Sequence, residues 1–330
     1  MKRFLIGIDE AGYGPKLGPL VIGASVWHVP AHLDTDCILS RLAPEFQSRP
    51  WQPNESFLPL GDSKAIYQRK KHLDSLNIPI RFLLDLCGSS CHSTSDLIRN
   101  VARADAHRVE EKPWYEPCLE EGCSEKLAVS ETLLESARLK LQSLGIEFRG
   151  FMCRIIDEEE FNTVVPIAGN KATALGDWSL KLLRDCISLL CTSSDRHAPA
   201  QIEACCDRQG GRKHYLPLLN HAFQEWDPWF DVMEETSQCS FYRGRFEGAN
   251  LDVRFRVHGD SMLPTGAASM LAKFVREMLM LRLNRYWRDQ VGDSLKPTAG
   301  YPLDADRFRN AIEKAADEMA HASQRWWRCC

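Results

Sequence analysis

The sequence predicts an α/β protein with a mixed sheet. Apolar runs typical of strands alternate along the chain with longer amphipathic runs typical of helices, which is the pattern of that fold class. Two apolar runs, residues 4–9 and 20–28, are separated only by a Gly/Pro-rich loop, so we expect them to pair as an antiparallel hairpin. An antiparallel pair within an alternating chain predicts a sheet that contains both strand directions.

The segments after the hairpin are less regular as far as residue 130. Residues 29–60 contain prolines and aromatic residues without a clear period and are expected to be irregular. A turn at residues 61–63 begins a basic helix, and "IPIRFLLDLC" at 78–87 is interpreted as a strand. Residues 88–130 are rich in Ser, Cys, Glu and Pro, which indicates an inserted and partly irregular segment.

The second half of the chain alternates more clearly. Amphipathic periodicity predicts a helix at 130–145, and long helices are also predicted at 170–191 and at 264–287, the last with small residues at its start. Short apolar runs predict strands at 148–156, 201–207 and 251–260. We therefore predict a domain over residues 1–290, with an insertion at about 88–145, followed by a C-terminal turn and helix at 291–330.

Composition and charge narrow the class of protein. The 330-residue chain is 44% hydrophobic and 26% charged, as expected for an ordinary globular protein. No apolar run is long enough to span a bilayer, and acids and glycines interrupt the N-terminal run by Asp9, so we predict a cytoplasmic protein that does not bind membranes. The net charge of −4 argues against a strongly basic nucleic-acid-binding protein, although clustered Lys and Arg could still form a local basic face.

The 13 cysteines do not suggest a disulfide framework in a chain of this length. In the insertion, Cys87, Cys91, His92, Cys118 and Cys123 have spacings near those of structural zinc sites, but no tight Cys-x2-Cys pair is present. Free thiols in a reducing compartment are the interpretation that we favour over a zinc site.

Three predicted strands end in acidic residues. Asp9 and Glu10 end the first, and Asp207 and Asp260 end two later ones. If these strands are neighbours, four carboxylates share one edge of the sheet, and their mutual repulsion favours occupation by cations. Oxygen ligands suit Mg²⁺ or Mn²⁺, and two such ions can act together in phosphoryl displacement. The alternative, a solvated turn or helix cap, is common for a single acid but unusual for an adjacent pair beside a glycine loop.

The loop "GYGPKLGP" at 12–19 allows two interpretations. It is not a P-loop, because no Gly-Lys-Ser/Thr sequence closes it, and it is not a convincing dinucleotide fingerprint, because a strand follows it. Its glycines allow a ligand to approach the backbone closely, or they simply form a bend.

Four segments together resemble a known family. "GIDEAGYGPKLGPLVIGA" is similar to the opening signature of type 2 ribonuclease H (ribonuclease HII), in which Asp-Glu-Ala-Gly-Arg-Gly-Pro is followed by Gly-Pro. "GDSKAI" resembles the Asp-Ser-Lys segment of that family, and "CCDRQGG" stands where the family has its third acid. "GDSMLPTGAASMLAKFVRE" resembles the stretch with the fourth acid and the Ala-Ala-Ser helix. The order and rough spacing of these segments agree along most of the chain.

The resemblance implies a fold, a metal site and an activity. The fold would be ribonuclease H-like, with a mixed five-stranded sheet, helices on both faces and a helical C-terminal part. Asp9, Glu10, Asp207 and Asp260 would be the catalytic residues and would bind two Mg²⁺ or Mn²⁺ ions. The protein would be an endonuclease that hydrolyses RNA in an RNA–DNA hybrid or at single ribonucleotides in a DNA duplex, leaving 3′-hydroxyl and 5′-phosphate ends.

The resemblance also implies residues that contact the ribose. The backbone of Gly12, Tyr13 and Gly14 would contact the 2′-hydroxyl, the group that distinguishes RNA from DNA. Tyr301 matches a family tyrosine that lies at the same hydroxyl. The alternative for Tyr301 is that it packs the C-terminal tail onto the core.

Basic residues near the acids are candidates for binding phosphates. Lys64 matches the lysine of the Asp-Ser-Lys segment, and Lys273 and Arg276 lie on the Ala-Ala-Ser helix. The alternatives are that Lys64 is a solvated charge at a helix start and that the other two lie on the exposed face of their helix.

The chain departs from the family pattern in several places. Tyr13 replaces an arginine, and Pro302 and Leu303 replace Gly-Thr after the matched tyrosine. Additions lie near residues 30–60, 88–145 and 208–250. A protein partner that binds through the insertion at 88–145 is a further expectation.

Three functions stay open on these observations. The first is the metal-dependent endoribonuclease described above, the second is a nucleic-acid-binding relative with little hydrolysis, and the third is a sister nuclease with another substrate preference. The four retained acids favour hydrolysis, because a binding module has no need to crowd carboxylates where phosphates approach. Tyr13 keeps the third function open.

Overall fold

The protein contains a seven-stranded mixed sheet with helices on both faces. The computed structural model describes residues 2–52, 55–67, 73–116, 129–192, 200–226, 229–246, 249–319 and 321–329. A separate two-stranded sheet is formed by β3 and β4. The strands are β1 (Lys2–Ala11), β2 (Leu20–His28), β3 (Phe46–Gln47), β4 (Leu58–Pro59), β5 (Glu147–Ile156), β6 (Ala200–Asp207), β7 (Trp229–Glu235), β8 (Cys239–Phe246) and β9 (Ala249–Arg256).

The strand order in the large sheet is β5-β2-β1-β6-β9-β8-β7. β2 runs antiparallel to β1 and β5, whereas β6 runs parallel to β1 and β9 runs parallel to β6. The predicted hairpin and the mixed sheet are therefore confirmed. Because β1, β6 and β9 are parallel neighbours, their carboxyl ends meet at one edge of the sheet.

The sheet has seven strands, and not the five that we predicted. The extra strands, β7 and β8, form an antiparallel hairpin at the edge of the sheet, within the addition near 208–250. Trp229, Val232 and Met233 of β7 are exposed, so this strand lacks the alternation of buried and exposed residues that indicates a strand in the sequence.

Eleven α-helices lie among the described residues. They are α1 (Ile38–Arg41), α2 (Ser63–Ile66), α3 (Asp74–Leu86), α4 (Thr94–Val101), α5 (Ala106–Glu110), α6 (Glu131–Ser143), α7 (Glu158–Ala168), α8 (Lys171–Thr192), α9 (Leu216–Ala222), α10 (Leu263–Val291) and α11 (Pro302–Glu318). The predicted helices at 130–145, 170–191 and 264–287 correspond to α6, α8 and α10 and are confirmed.

The two faces of the sheet are buried against different helices. Alternate residues of β1 point to opposite faces, so that Leu5 joins the core layer that contains α10, whereas Ile6 and Ile8 join the layer that contains α8. The start of α10 approaches β1 very closely: a Cβ on Gly7 would lie 2.0 Å from the backbone carbon of Pro264. This close approach places the beginning of α10 directly against the strand that carries Asp9.

The segment at 78–87 is helical, and the strand predicted there is wrong. Nine residues of α3 are buried, because the helix packs against α10 and β5. The isoleucines in this short apolar run favour a strand locally and Pro79 disfavours a helix interior, but such a run cannot be distinguished by periodicity from a buried helix. Tertiary packing decides the outcome here.

The described part of the segment at 88–130 is more regular than predicted, since α4 and α5 lie within it. Cys87 and Cys91 are free thiols whose sulfur atoms donate to backbone carbonyls. Cys118 and Cys123 lie outside the described residues, so the zinc hypothesis stays untested. The division of the chain at residue 290 also stays a prediction.

Aromatic side chains join the insertion, α10 and the C-terminal tail. Trp114 of the insertion stacks on Trp287 of α10 with ring centres 6.4 Å apart, and Trp326 of the tail packs edge-on against Trp287 at 5.8 Å. All three are buried. The tail is therefore packed into the core. No helix in the described ranges combines the length and the apolar character needed to cross a bilayer.

Candidate active site

Asp9 lies near the end of β1, on the face that packs against α10. The residue is 6% exposed, and one carboxylate oxygen accepts the N–H of Glu10 at 2.8 Å. Burial raises the pKa of Asp9 well above its usual value, the carboxylates of Glu10 and Asp207 raise it further, and a hydrogen bond with Ser269 of α10 lowers it. Asp9 is thus a buried carboxylate with two acidic neighbours.

Glu10 is the second acid at the end of β1, and its surroundings also disfavour the ionised form. Burial and the carboxylate of Asp207 raise the pKa of Glu10 to about 7, while the ammonium of Lys64 opposes the shift. Two adjacent acids with raised pKa values indicate concentrated negative charge, which a bound cation would relieve.

Asp207 ends β6 and lies level with Asp9, because the residues that precede them pair in the parallel ladder. One carboxylate oxygen of Asp207 accepts the N–H of Gly259 at 3.0 Å. Burial raises the pKa of Asp207; the bond to Gly259 lowers it, and the carboxylate of Asp260 raises it. Asp207 therefore links the end of β6 to the turn that carries Asp260.

Asp260 reaches the site from a turn and not from a strand end, which corrects the prediction. β9 ends at Arg256, and Asp260 lies in the 3-10 turn Gly259–Ser261 that leads into α10. His258 adopts a left-handed backbone conformation with φ 58°, and a Cβ on Gly259 would lie 3.1 Å from the Cα of Asp207. This tight turn brings Asp260, which is 7% exposed, back toward the other acids.

Lys64 joins the acids from α2. The carboxylate of Asp62 caps this helix by accepting the N–H of Lys64 at 2.8 Å, and Nζ of Lys64 lies 3.4 Å from Oδ2 of Asp260. Burial lowers the pKa of Lys64, but the carboxylates of Asp260, Asp9 and Asp62 outweigh this effect and raise it. The structure therefore brings Lys64 together with the predicted acids.

Two serines support this arrangement and were not singled out from the sequence. The hydroxyl oxygens of Ser63 in α2 and Ser269 in α10 are 2.9 Å apart, and both residues are buried. The bond between the two serines ties the helix of Lys64 to α10, and Ser269 also lowers the pKa of Asp9. The only sequence signal was their presence in two of the four matching segments.

We call Asp9, Glu10, Asp207 and Asp260 the acid cluster. Its donor atoms are all carboxylate oxygens, the ligands that Mg²⁺ and Mn²⁺ favour. In the described part of the chain, no three His, Cys, Asp or Glu side chains converge on a point where they could hold an ion together. The chemistry of the donor set therefore fits a hard divalent cation, but the side chains would have to turn toward a common centre to bind one.

The glycine loop, residues 12–18, begins directly after β1. Gly12 has a φ of 93°, and a Cβ there would lie 2.4 Å from Nε of Arg276 and 2.6 Å from the carbonyl oxygen of Pro19. Only glycine fits this position without strain. Gly14 is exposed, and no atom lies within 4 Å of the place where its Cβ would stand. The backbone near the acid cluster is thus accessible to a ligand.

Tyr13 lies between these two glycines and packs partly against the core layer that contains α8. Burial raises the pKa of its hydroxyl, the carboxylate of Glu10 raises it further, and Arg212 opposes the shift. Tyr13 is therefore within electrostatic reach of the acid cluster and of the turn that follows β6.

The two basic candidates on α10 are engaged elsewhere. Arg276 is 2% exposed, lies beneath Gly12 and donates to the carbonyl of Ala299 at 3.0 Å. Its prediction as a phosphate-binding residue is wrong, because α10 is buried on nearly all sides and its residues do not divide into a wet and a dry face. Lys273 pairs with Glu277 at 3.0 Å, and its phosphate-binding role stays a prediction.

Tyr301 precedes α11 and is 49% exposed. The carbonyl of Gly300 accepts the N–H of Lys16 at 2.8 Å and that of Leu17 at 3.3 Å. The segment that matches the tyrosine of the family is therefore bonded directly to the glycine loop.

Comparison with known proteins adds loose structural similarities. No family model matches the sequence, and no curated protein matches it. Ribonuclease H2 from Pyrococcus horikoshii OT3 shares 15% identity with a TM-score of 0.35, over 99% of this chain and 92% of that one. RNase HII from Archaeoglobus fulgidus, solved in a complex with PCNA, shares 14% with a TM-score of 0.37, over 98% and 93%. Bst-RNase HIII in complex with Mn²⁺ shares 13% with a TM-score of 0.39, over 98% of this chain and 65% of that one. These TM-scores are too low to establish a fold, and the α/β class rests on the strand order and directions described above.

Proposed function

We propose that this protein is a metal-dependent endoribonuclease that hydrolyses RNA in RNA–DNA duplexes, including single ribonucleotides within DNA, and leaves 3′-hydroxyl and 5′-phosphate ends. The observation that carries the proposal is the meeting of four carboxylates at one edge of the sheet, directly beside the glycine loop. The sequence segments that supply these residues are the ones that resemble ribonuclease HII.

Asp9, Glu10, Asp207 and Asp260 are the residues that would hold Mg²⁺ or Mn²⁺. The bound ions would activate the attacking water and stabilise the leaving 3′ oxygen. Before an ion binds, burial raises the pKa values of Asp9 and Glu10, and the neighbouring carboxylates raise them further, so that the charged forms are disfavoured. The chain thus keeps anionic ligands close together at a position where only a cation stabilises them.

Other residues of the chain would orient the substrate. The accessible backbone at Gly12–Gly14 suits contact with the 2′-hydroxyl, which both donates and accepts hydrogen bonds. Lys64 lies beside Asp260 and suits binding of a phosphate, and Tyr301 follows Gly300, which is bonded to the loop, and suits contact with the ribose. A nuclease explains why a phosphate-binding lysine lies among carboxylates, whereas a simple binding module does not.

A second function, a nuclease that prefers long RNA–DNA hybrids, is favoured by one observation. Tyr13 stands where the family has an arginine, and its ring packs partly into the core. The tip of the loop, residues 12–14, therefore lacks a cation that could bind a phosphate next to a single ribonucleotide, and the lysine further along the loop, Lys16, pairs with Asp306 at 3.4 Å.

The test uses labelled duplexes that contain one ribonucleotide, four ribonucleotides or none, incubated with Mg²⁺ or Mn²⁺. We expect cleavage of the ribonucleotide-containing duplexes by the wild type and its loss in Asp9→Asn. Asp289→Asn, an exposed acid at the far end of α10, is the matched control and should cleave normally. Equal inactivity of wild type and Asp9→Asn on every duplex would reject hydrolysis, and cleavage of only the longer hybrid would select the second function.

A further inference from the structure

A buried arginine at the end of the chain holds the backbone of the glycine loop. The guanidinium of Arg328 donates to the carbonyl oxygens of Gly12 at 2.6 Å, Pro15 at 3.1 Å and Gly18 at 2.5 Å. Arg328 is 1% exposed, and its guanidinium lies 4.6 Å from the centre of the Phe161 ring. Three acceptors spread along the loop therefore converge on one planar cation.

The tail that carries Arg328 is itself fixed on both sides. The N–H of Arg328 donates to the carbonyl of Lys16 at 3.0 Å. The side-chain amide of Asn162 in α7 donates to the carbonyl of Trp327 at 2.7 Å and accepts the N–H of Cys329 at 2.8 Å. Arg328 is thus held in place by backbone bonds to its neighbours and to the loop.

Three further bonds fix the second half of the loop. The carboxylate of Glu158 accepts the N–H of Gly18 at 3.0 Å, and Gly300 accepts the N–H groups of Lys16 and Leu17. By contrast, the described residues contain no hydrogen-bond partner for the N–H of Tyr13 or Gly14. The bonds to neighbouring elements therefore leave the donors at the tip of the loop available for a ligand.

We propose that Arg328 is a positioning residue that holds the glycine loop in the conformation in which the donors of Tyr13 and Gly14 contact a ribose. On this basis, which rests on the proposed function, Arg328 determines how well the enzyme distinguishes a ribonucleotide from a deoxyribonucleotide. Glycines allow many backbone conformations, so a loop that reads a single hydroxyl requires support from outside.

Packing alone does not explain an arginine at this position. A buried guanidinium loses its hydration, and this loss is compensated only by several well-aligned acceptors. A methionine of similar length would fill the same space against Phe161 without that penalty. The three bonds to the loop are the feature that only the arginine supplies.

The test compares Arg328→Met and Arg328→Lys with Arg325→Met, which removes a half-exposed arginine from the same tail. Hydrogen exchange of the amides at 12–18 measures the loop, and kcat and KM are measured on a duplex with one ribonucleotide. For Arg328→Met we expect faster exchange confined to the loop and a KM raised about tenfold, with kcat changed by less than about threefold. Arg328→Lys should recover part of the loss, and Arg325→Met should behave as the wild type.

Two outcomes would overturn the proposal. The first is a folded Arg328→Met protein whose loop exchange and KM equal those of the wild type. The second concerns the case in which Arg328→Met does not fold, so that Arg328→Lys becomes the test. If hydrogen exchange of the loop in Arg328→Lys equals that of the wild type, the positioning role is rejected. If the wild type cleaves no duplex, the proposed function is wrong, yet loop exchange still shows whether Arg328 holds the loop.

Discussion

The acid cluster and the glycine loop lie side by side, but they are built in opposite ways. The acids come from the ends of parallel strands or from the turn that follows one, so a local pattern in the sequence marks each of them. The loop takes its shape from Arg328, Gly300 and Glu158, which are far from it in the chain. Residues that carry chemistry can thus be marked locally in the sequence, while residues that shape a recognition surface are scattered along it.

The largest expected effect is the loss of cleavage when Asp9 is substituted, and the same substitution separates catalysis from the stability of the protein. Asp9→Asn should lower the cleavage rate by about 10³-fold or more, because it removes one of the carboxylates proposed to bind the metal. The same change should raise the free energy of unfolding of the metal-free protein by about 1 kcal/mol at neutral pH, since it removes a buried charge beside two other carboxylates. Cleavage assays and thermal unfolding measure the two effects.

The test of this prediction is that Asp9→Asn lowers the cleavage rate and raises the free energy of unfolding. Asp289→Asn, outside the cluster, should change neither quantity. If Asp9→Asn instead destabilises the metal-free protein, Asp9 supports the fold, and the cost of a buried charge beside other carboxylates is not the dominant effect.

The sequence predicted the acid cluster better than its surroundings. Apolar runs that end in acids, together with the α/β alternation, were sufficient to bring Asp9, Glu10 and Asp207 to one edge. Asp260 was expected at a strand end but lies in a turn, because the strand pattern continues past the last ladder pair. Arg276 was expected to be exposed, but α10 is buried on nearly all sides.

The support of the glycine loop could not be predicted at all. Arg328 is more than three hundred residues from Gly12 in the chain, and no periodicity connects a C-terminal tail to an N-terminal loop. The extra hairpin β7–β8 was missed for a related reason, since its exposed edge strand carries no buried stripe. Long-range packing determines both features, and a single sequence contains no local signal for either.

The next prediction tests the loop itself. Gly12→Ala should lower the free energy of unfolding by about 2 kcal/mol and reduce cleavage at a single ribonucleotide by about tenfold, because Gly12 has a positive φ and its Cβ would collide with Arg276. Gly14→Ala is the matched control, since its Cβ would meet nothing, and should leave stability within about 0.5 kcal/mol. Equal effects of the two substitutions would mean that the loop is not shaped as described.

A smaller expected effect is the pH dependence of the free energy of unfolding of the metal-free protein. The pKa of Glu10 is raised from 4.5 to about 7, so the folded state binds a proton that the unfolded state releases between these values. The contribution of Glu10 to the free energy of unfolding should therefore be fully present below pH 4.5 and should be lost, by about 3 kcal/mol in all, as the pH rises through 7. Chemical denaturation in the presence of a chelator measures this dependence.

A substitution of Glu10 and the addition of Mg²⁺ provide two further checks of the pH experiment. Glu10→Gln should flatten the dependence, because the amide does not titrate. Mg²⁺ should restore stability above pH 7, because it binds the ionised carboxylates and not the protonated ones. A profile that is the same with Mg²⁺ and with chelator would argue against a cation site at the cluster.

The smallest expected effect lies where the cluster and the loop meet. Tyr13→Arg introduces the residue that the ribonuclease HII pattern has at this position, within electrostatic reach of Glu10 and Arg212. The guanidinium should add a phosphate contact and raise kcat/KM on a single-ribonucleotide duplex about fivefold relative to a four-ribonucleotide duplex. Tyr13→Phe, which keeps the ring in the core and removes only the hydroxyl, should leave the ratio of the two rates unchanged. If Tyr13→Arg also leaves that ratio unchanged, substrate preference is determined outside the tip of the loop, and the backbone held by Arg328 becomes the stronger candidate for it.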